Sequence, residues 1–168
     1  PDVQLNNPDI TEAIHIGDTL TVTWTASDNF ALDWAKLFFT SNGGASFSLY
    51  DSVDANLGGL EWVAPDVISN SCNFAICVSD ISGNVSADTL SGSFVIIDAT
   101  PPLISILSPT QTTSIREHDS LFVAWIASDN IGIDWFELWY SNKPSEPFES
   151  LAQISGDDTT FAFEIGDG

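Results

Sequence analysis

Laid on itself with an offset of 101 residues, the sequence repeats without a gap: Pro8 falls on Pro109, Asp18 on Asp119, Trp24 on Trp125, Asp28 on Asp129 and Trp34 on Trp135. The match is densest where residues 17–29 meet residues 118–130, a stretch that in both copies runs into Ala-Ser-Asp-Asn. A period near 100 is too long for a solenoid repeat and matches the size of one sandwich domain, so the 168 residues read as tandem modules rather than one medium domain.

Within each copy the hydrophobic period is 2. Leu20, Val22, Trp24 and Ala26 share one face of a strand while Thr21, Thr23 and Thr25 take the other, and the second copy keeps Leu121, Val123, Trp125 and Ala127 inward. An Asp-Asn turn follows, then apolar strands at 34–40 and 135–141. Turn chemistry recurs at Ser41-Asn42-Gly43-Gly44, Gly58-Gly59 and Ser82-Gly83-Asn84. Further strands at 74–78 and 94–97 bring the expectation to about seven per module, with no amphipathic helix. The boundary reads from Ile97-Asp98-Ala99-Thr100-Pro101-Pro102, where two prolines fix φ and remove ladder donors. The expected domains are 1–98 and 99–168, joined by a short, stiff, proline-locked segment.

Taken together, the Ser-Asp-Asn turns, the Val-Ser-Asp-Ile-Ser-Gly-Asn run at 78–84 and Asp98-Ala99-Thr100-Pro101-Pro102 resemble the immunoglobulin-like and fibronectin III-like repeats of bacterial surface proteins, adhesins and secreted enzymes. The resemblance spans nearly the whole chain. It implies an all-β fold of two tandem sandwiches and a role in spacing, display or adhesion, often with calcium near domain junctions. Phe161 and Phe163 fall on Leu60 and Trp62, so the second module ends before any counterpart of 74–78 or 94–97. A sandwich without its last two strands exposes core residues and open edges. The strands are expected to lie beyond the residues of this chain; the alternative is strand donation by a neighbouring subunit.

Composition closes off several function classes. With 24 acidic and three basic residues the formal net charge is -21, and Lys36, Arg116 and Lys143 cannot form the basic stripe that nucleic-acid binding requires. A surface so acidic is expected to work where salt or divalent cations screen it. No apolar run approaches the ~18 residues of a membrane span, so membrane insertion of this segment is not expected. The chain starts at Pro1 without a signal peptide and reads as a segment of something longer, extracellular or at the cell surface. Cys72 and Cys77 sit on opposite faces of one strand, about 16 Å apart at roughly 3.3 Å per residue, beyond disulfide reach.

Two residue sets are candidates for binding chemistry. Calcium takes about six to eight oxygen ligands. In a sandwich of this type Asp28, Asn29, Asp80, Asn84 and the Pro1-Asp2 segment converge at one end, while Asp98 with Asp129, Asn130 and Asp134 forms the analogous set at the junction. Both sets are also ordinary turn formers. Asp51, Asp54, Asn56 and Gly58 miss the spacing of an EF-hand loop. The second set is aromatic: Trp34 and Phe38, and in the other copy Trp135 and Trp139, are placed outward, where they either pack locally, meet a protein partner such as an identical subunit, or stack on surface glycans. No nucleophile elbow or zinc motif is present, and His15 and His118 are off-register between the copies, so the chain is not expected to be an enzyme. The readings that follow are a structural spacer of a long surface protein, filament or adhesin stalk; an adhesive or carbohydrate-binding module; and an accessory region of a secreted hydrolase.

Overall fold

The computed structural model describes residues 1–8, 10–110, 114–141 and 145–166. By internal contacts the chain divides into two compact units, Pro1–Ala99 and Thr100–Gly168. The chain is all-β. Among the described residues its one helical element is a single 3-10 turn at Ala55–Leu57, and no helix is long and apolar enough to cross a membrane.

The first unit contains β1 (Asp2–Asn7), β2 (Ile14–His15), β3 (Thr19–Ser27), β4 (Leu32–Thr40), β5 (Ser48–Asp54), β6 (Gly59–Val63), β7 (Ser69–Asp80), β8 (Val85–Thr89) and β9 (Phe94–Ile97). One sheet has the order β1-β3-β6; the other runs β2-β9-β7-β4-β5, with β8 also on β7. The strand count exceeds the expected seven for two reasons. The first edge strand is split, β1 pairing with β3 and β2 running parallel to β9, and the last is split too, because β8 and β9 pair with different halves of β7. β7 is also longer than the 74–78 segment expected from sequence, and β8 was not expected at all.

Alternation decides what is buried. Cys72, Phe74, Ile76 and Val78 of β7 face the core together with Val22 and Trp24 of β3 and Ala35 and Leu37 of β4. An aromatic cluster closes the space between the sheets. Trp62 of β6 meets Phe74 edge-on at 5.0 Å and Phe39 at 5.2 Å, while Phe74 stacks on Phe94 at 5.1 Å. Such pairs add about 0.5–1.5 kcal/mol each beyond the area they bury. Cys72 and Cys77 carry free thiols on opposite faces of β7; burial pushes the Cys72 thiol up, which keeps it an inert packed group.

The second unit contains β10 (Leu103–Ser108), β11 (Ser120–Ser128), β12 (Trp135–Tyr140), β13 (Glu149–Ser155) and β14 (Thr160–Glu164), in sheets β10-β11-β14 and β12-β13. Every pairing repeats its first-unit register at the same offset. Leu5↔Trp24 returns as Ile106↔Trp125, Leu20↔Trp62 as Leu121↔Phe163, and Ala35↔Val53 as Phe136↔Ile154. The irregularities repeat too, at Leu5/Asn7 and Ile106/Ser108, and so do the cis bonds before Pro8 and Pro109. The offset places counterparts of β7, β8 and β9 beyond position 168. The core is correspondingly small: Val123, Trp125 and Ile154 are buried, with Phe136, Leu138, Phe161 and Phe163 half-buried against them.

Candidate functional site

At one end of the first unit the structure brings together part of the expected acidic set. Asp28 opens the turn after β3, Asp80 ends β7, and Pro1 reaches Asp28. Asp28 Oδ2 is 2.9 Å from the Pro1 ammonium, with both side chains almost wholly covered, and its Oδ1 accepts from the Phe30 N–H at 2.9 Å. Asp80 Oδ1 accepts from the Ser82 and Asn84 N–H groups, each at 2.8 Å, and its Oδ2 accepts from Asn84 Nδ2 at 2.6 Å. These contacts fix the charge states. The Pro1 ammonium and the Phe30 N–H hold the Asp28 carboxyl below the usual carboxylate range, and the Asn84 side chain, aided by backbone N–H groups, does the same for Asp80. Asp28 in turn, through its hydrogen bond, raises the ammonium above its ordinary value. Two ionised carboxylates therefore lie near one another with one ammonium.

The other members of the calcium sets are placed differently. Asn29 is exposed at the β3–β4 turn. Asp98 follows β9 in the first unit, whereas Asp129, Asn130 and Asp134 lie on the β11–β12 connection of the second. There Asp129 Oδ1 accepts from the Ile131 and Gly132 N–H groups at 3.0 and 3.1 Å, an Asx turn. Asp54, from the Asp51–Gly58 stretch, caps the 3-10 turn by accepting from the Asn56 N–H and Nδ2 at 2.8 and 2.9 Å. Among the described residues no three His, Cys, Asp or Glu side chains gather as a metal-ligand group.

The outward aromatics separate the two copies. Trp34 and Phe38 are half-buried on β4, and the Lys36 ammonium sits 4.2 Å above the Trp34 ring, a cation–π contact that covers it. At the matching position of β12 stands Glu137, which cannot do this, and Trp135 and Trp139 are each 50% exposed. Trp135, Glu137 and Trp139 form an outward row on one strand.

Behind that row lies the exposure of core positions expected for the second module, at residues the sequence reading did not name. Val3 and Leu5 of β1 are each 8% exposed, yet their counterparts Ile104 and Ile106 of β10 are 61% and 65% exposed. Together with Val123, Trp125, Leu138 and Ile154 they line an apolar cleft of about 190 Å³, with Trp139 at its rim. The signal was present in the alignment: the inward positions of β10 stay apolar, while among the described residues no counterpart of the covering strand is found. The indole N–H of Trp125 is buried with no hydrogen-bond partner, whereas Trp24 Nε1 donates to the Ala55 carbonyl at 3.2 Å. The cleft holds no nucleophile and no charged side chain except Glu137, so its surface suits apolar packing rather than acid–base chemistry.

No protein-family model and no curated protein matches the chain. Among solved structures, the fibronectin(III)-like modules of Clostridium thermocellum CbhA are similar, with 13% identity, 99% of this chain and 80% of that chain covered, and a TM-score of 0.43.

Proposed function

We propose that this chain is a non-catalytic spacer, a pair of tandem sandwich modules that holds its neighbours at a set distance within a long extracellular or cell-surface protein such as a filament, surface layer or adhesin stalk. The observation that carries the reading is what the repeat preserves. Across 101 residues it keeps strand registers, turns and inward apolar positions, and keeps no shared constellation of reactive side chains. Its carboxylates at turns accept from backbone N–H groups, the work of folding rather than of chemistry. The Pro101-Pro102 segment supports the same role, since locked φ angles restrict the swing of what they join. The partners on this reading are neighbouring domains of the same chain. A doubly labelled chain, one probe in each unit, tests it: a single narrow distance distribution is expected, and a broad one removes the spacer role.

Calcium belongs to the proposal at the Asp28–Asp80 end, where two ionised carboxylates lie together. Adding calcium in place of chelator is expected to raise the melting temperature of the first unit by a few degrees, and an unmoved melt removes the ion.

A second reading is favoured by the outward row on β12. Two half-exposed indoles spaced four residues apart on one strand present a face that can stack on sugar rings. Retention on immobilised glycans that is lost in Trp135→Ala and Trp139→Ala supports a carbohydrate-binding role, and retention unchanged by both removes it.

A further inference from the structure

Trp34, Lys36 and Phe38 alternate with the buried Ala35 and Leu37, so they form one row on the outer face of β4. In the first unit β5 and β7 flank β4 on both sides and the row is still half-exposed, so the pleat turns it outward rather than an unpaired edge. Trp135, Glu137 and Trp139 form the same row on β12, at the 101-residue offset. The two rows differ in the sign at their centre. The register partners of Lys36 are Ser52 and Cys77, and those of Phe38 are Leu49 and Ala75; the acid at the margin is Asp54, opposite Trp34. Glu137 stands opposite Gln153, with Ser155 and Ser150 opposite Trp135 and Trp139. Each face therefore presents two aromatic rings with a charge between them, positive on one face and negative on the other.

Both charges are held in place. The Lys36 ammonium, 4.2 Å from the centre of the Trp34 ring, is kept over the face by that contact instead of trailing into solvent, and Ser150 Oγ donates to Glu137 Oε1 at 2.7 Å. Lys36 is also the one lysine or arginine in residues 1–99 of this acidic chain. We infer that the two faces dock on each other between copies: the Trp34, Lys36 and Phe38 face of one chain receives the Trp135, Glu137 and Trp139 face of another, with Lys36 paired to Glu137 among the aromatic rings. The occupant of each face is a second copy of this chain, and the contact is heterologous, one patch meeting a different one. Like faces do not pair, because Lys36 would meet Lys36 or Glu137 would meet Glu137, and like charges at the centre of an interface select against that arrangement. The formal net charge of -21 on each copy opposes association at long range. Screening over about 8 Å at physiological salt confines that repulsion, while a charge pair enclosed by rings is screened much less.

Sedimentation of the full 168-residue chain at about 0.15 M salt tests the pairing. The wild-type chain is expected to associate reversibly, in a concentration-dependent way, below about 0.5 mM. Lys36→Glu and Glu137→Lys are each expected to weaken that association at least about tenfold. An equimolar mixture of the two variants is expected to restore it, because their altered faces fit each other and so do their unaltered ones. Net charge alone predicts the opposite for Glu137→Lys, which makes the chain less acidic and would strengthen association. Trp139→Ala leaves both charges in place and is also expected to weaken association, which keeps the test open if a charge variant fails to fold. A wild-type chain that stays monomeric at about 0.5 mM, variants that associate as strongly as wild type, or a mixture no stronger than its components would overturn the pairing.

Discussion

Val3 and Leu5 are covered where Ile104 and Ile106 stand open, although the four side chains occupy equivalent positions on equivalent strands with the same register to their neighbours. The difference lies in what packs from the other sheet. β7 and β8 lie against β1, and the Leu5 N–H donates to the Asp88 carboxylate of β8 at 2.8 Å. Fully burying an isoleucine is worth about 1.5–3 kcal/mol. The two open positions thus forgo an amount comparable to a large part of the about 5–15 kcal/mol that holds a typical domain folded. Alternation along a strand specifies which side chains should be inside, but burial needs the second layer to be present.

The largest expected effect comes from the aromatic cluster. Phe74→Ala removes a ring that contacts Trp62, Phe39 and Phe94, and is expected to destabilise the first unit by about 3–5 kcal/mol in denaturant unfolding. A sharper test pairs equivalent sites: Leu5→Ala is expected to cost about 2–3 kcal/mol, whereas Ile106→Ala, at an open position, should cost less than about 0.5 kcal/mol. Equal costs would break the comparison. Trp24→Phe strips the donor from the Ala55 carbonyl and is expected to cost about 1 kcal/mol more than Trp125→Phe, which removes an indole N–H that already lacks a partner.

Acidity separates the units further. Asp28 and Asp80 have carboxyls below their unfolded values, near about 4, so their contribution is present above that pH and lost as pH falls through the lower folded values. Melts of the first unit are expected to fall at the acid extreme. Asp80→Asn should flatten the acid limb, and an unchanged limb would show that the hydrogen bonds to the Asp80 carboxylate contribute nothing. The smallest effect is at the turn before β11. His118 has φ 67°, where Gly17 has φ 85° in the other copy, and His118→Gly is expected to stabilise the second unit by about 0.5–1 kcal/mol.

Much of this fold was legible because strand periodicity and turn residues are local. The inward face of Leu20, Val22, Trp24 and Ala26 and the turns at Asp28-Asn29 and Ser82-Gly83-Asn84 follow from neighbours in sequence. The splitting of the edge strands was not legible, since β8 exists only through its pairing with β7. For the candidate sites, sequence reasoning grouped Asp28, Asn29, Asp80 and Asn84 at one end as metal ligands, but it did not foresee that N–H donors hold the Asp28 and Asp80 oxygens. It treated Trp34 and Trp135 alike, and the exchange of Lys36 for Glu137 undoes that equivalence by removing the cation that covers the ring. Exposure of core residues in the second module was expected, but the residues lining the cleft were not named, because openness is a property of a neighbouring strand rather than of any residue lining it.

The central claim is that one strand design gives a β4 paired on both edges and, among the described residues, a β12 paired on one. Amide hydrogen exchange on the intact chain measures it directly. Alternate amides of residues 135–140, those not bonded to β13, should exchange at least about a hundredfold faster than their counterparts at 34–39, which β7 protects. Equal protection along both strands would mean that the edge of β12 is already covered and would contradict the account.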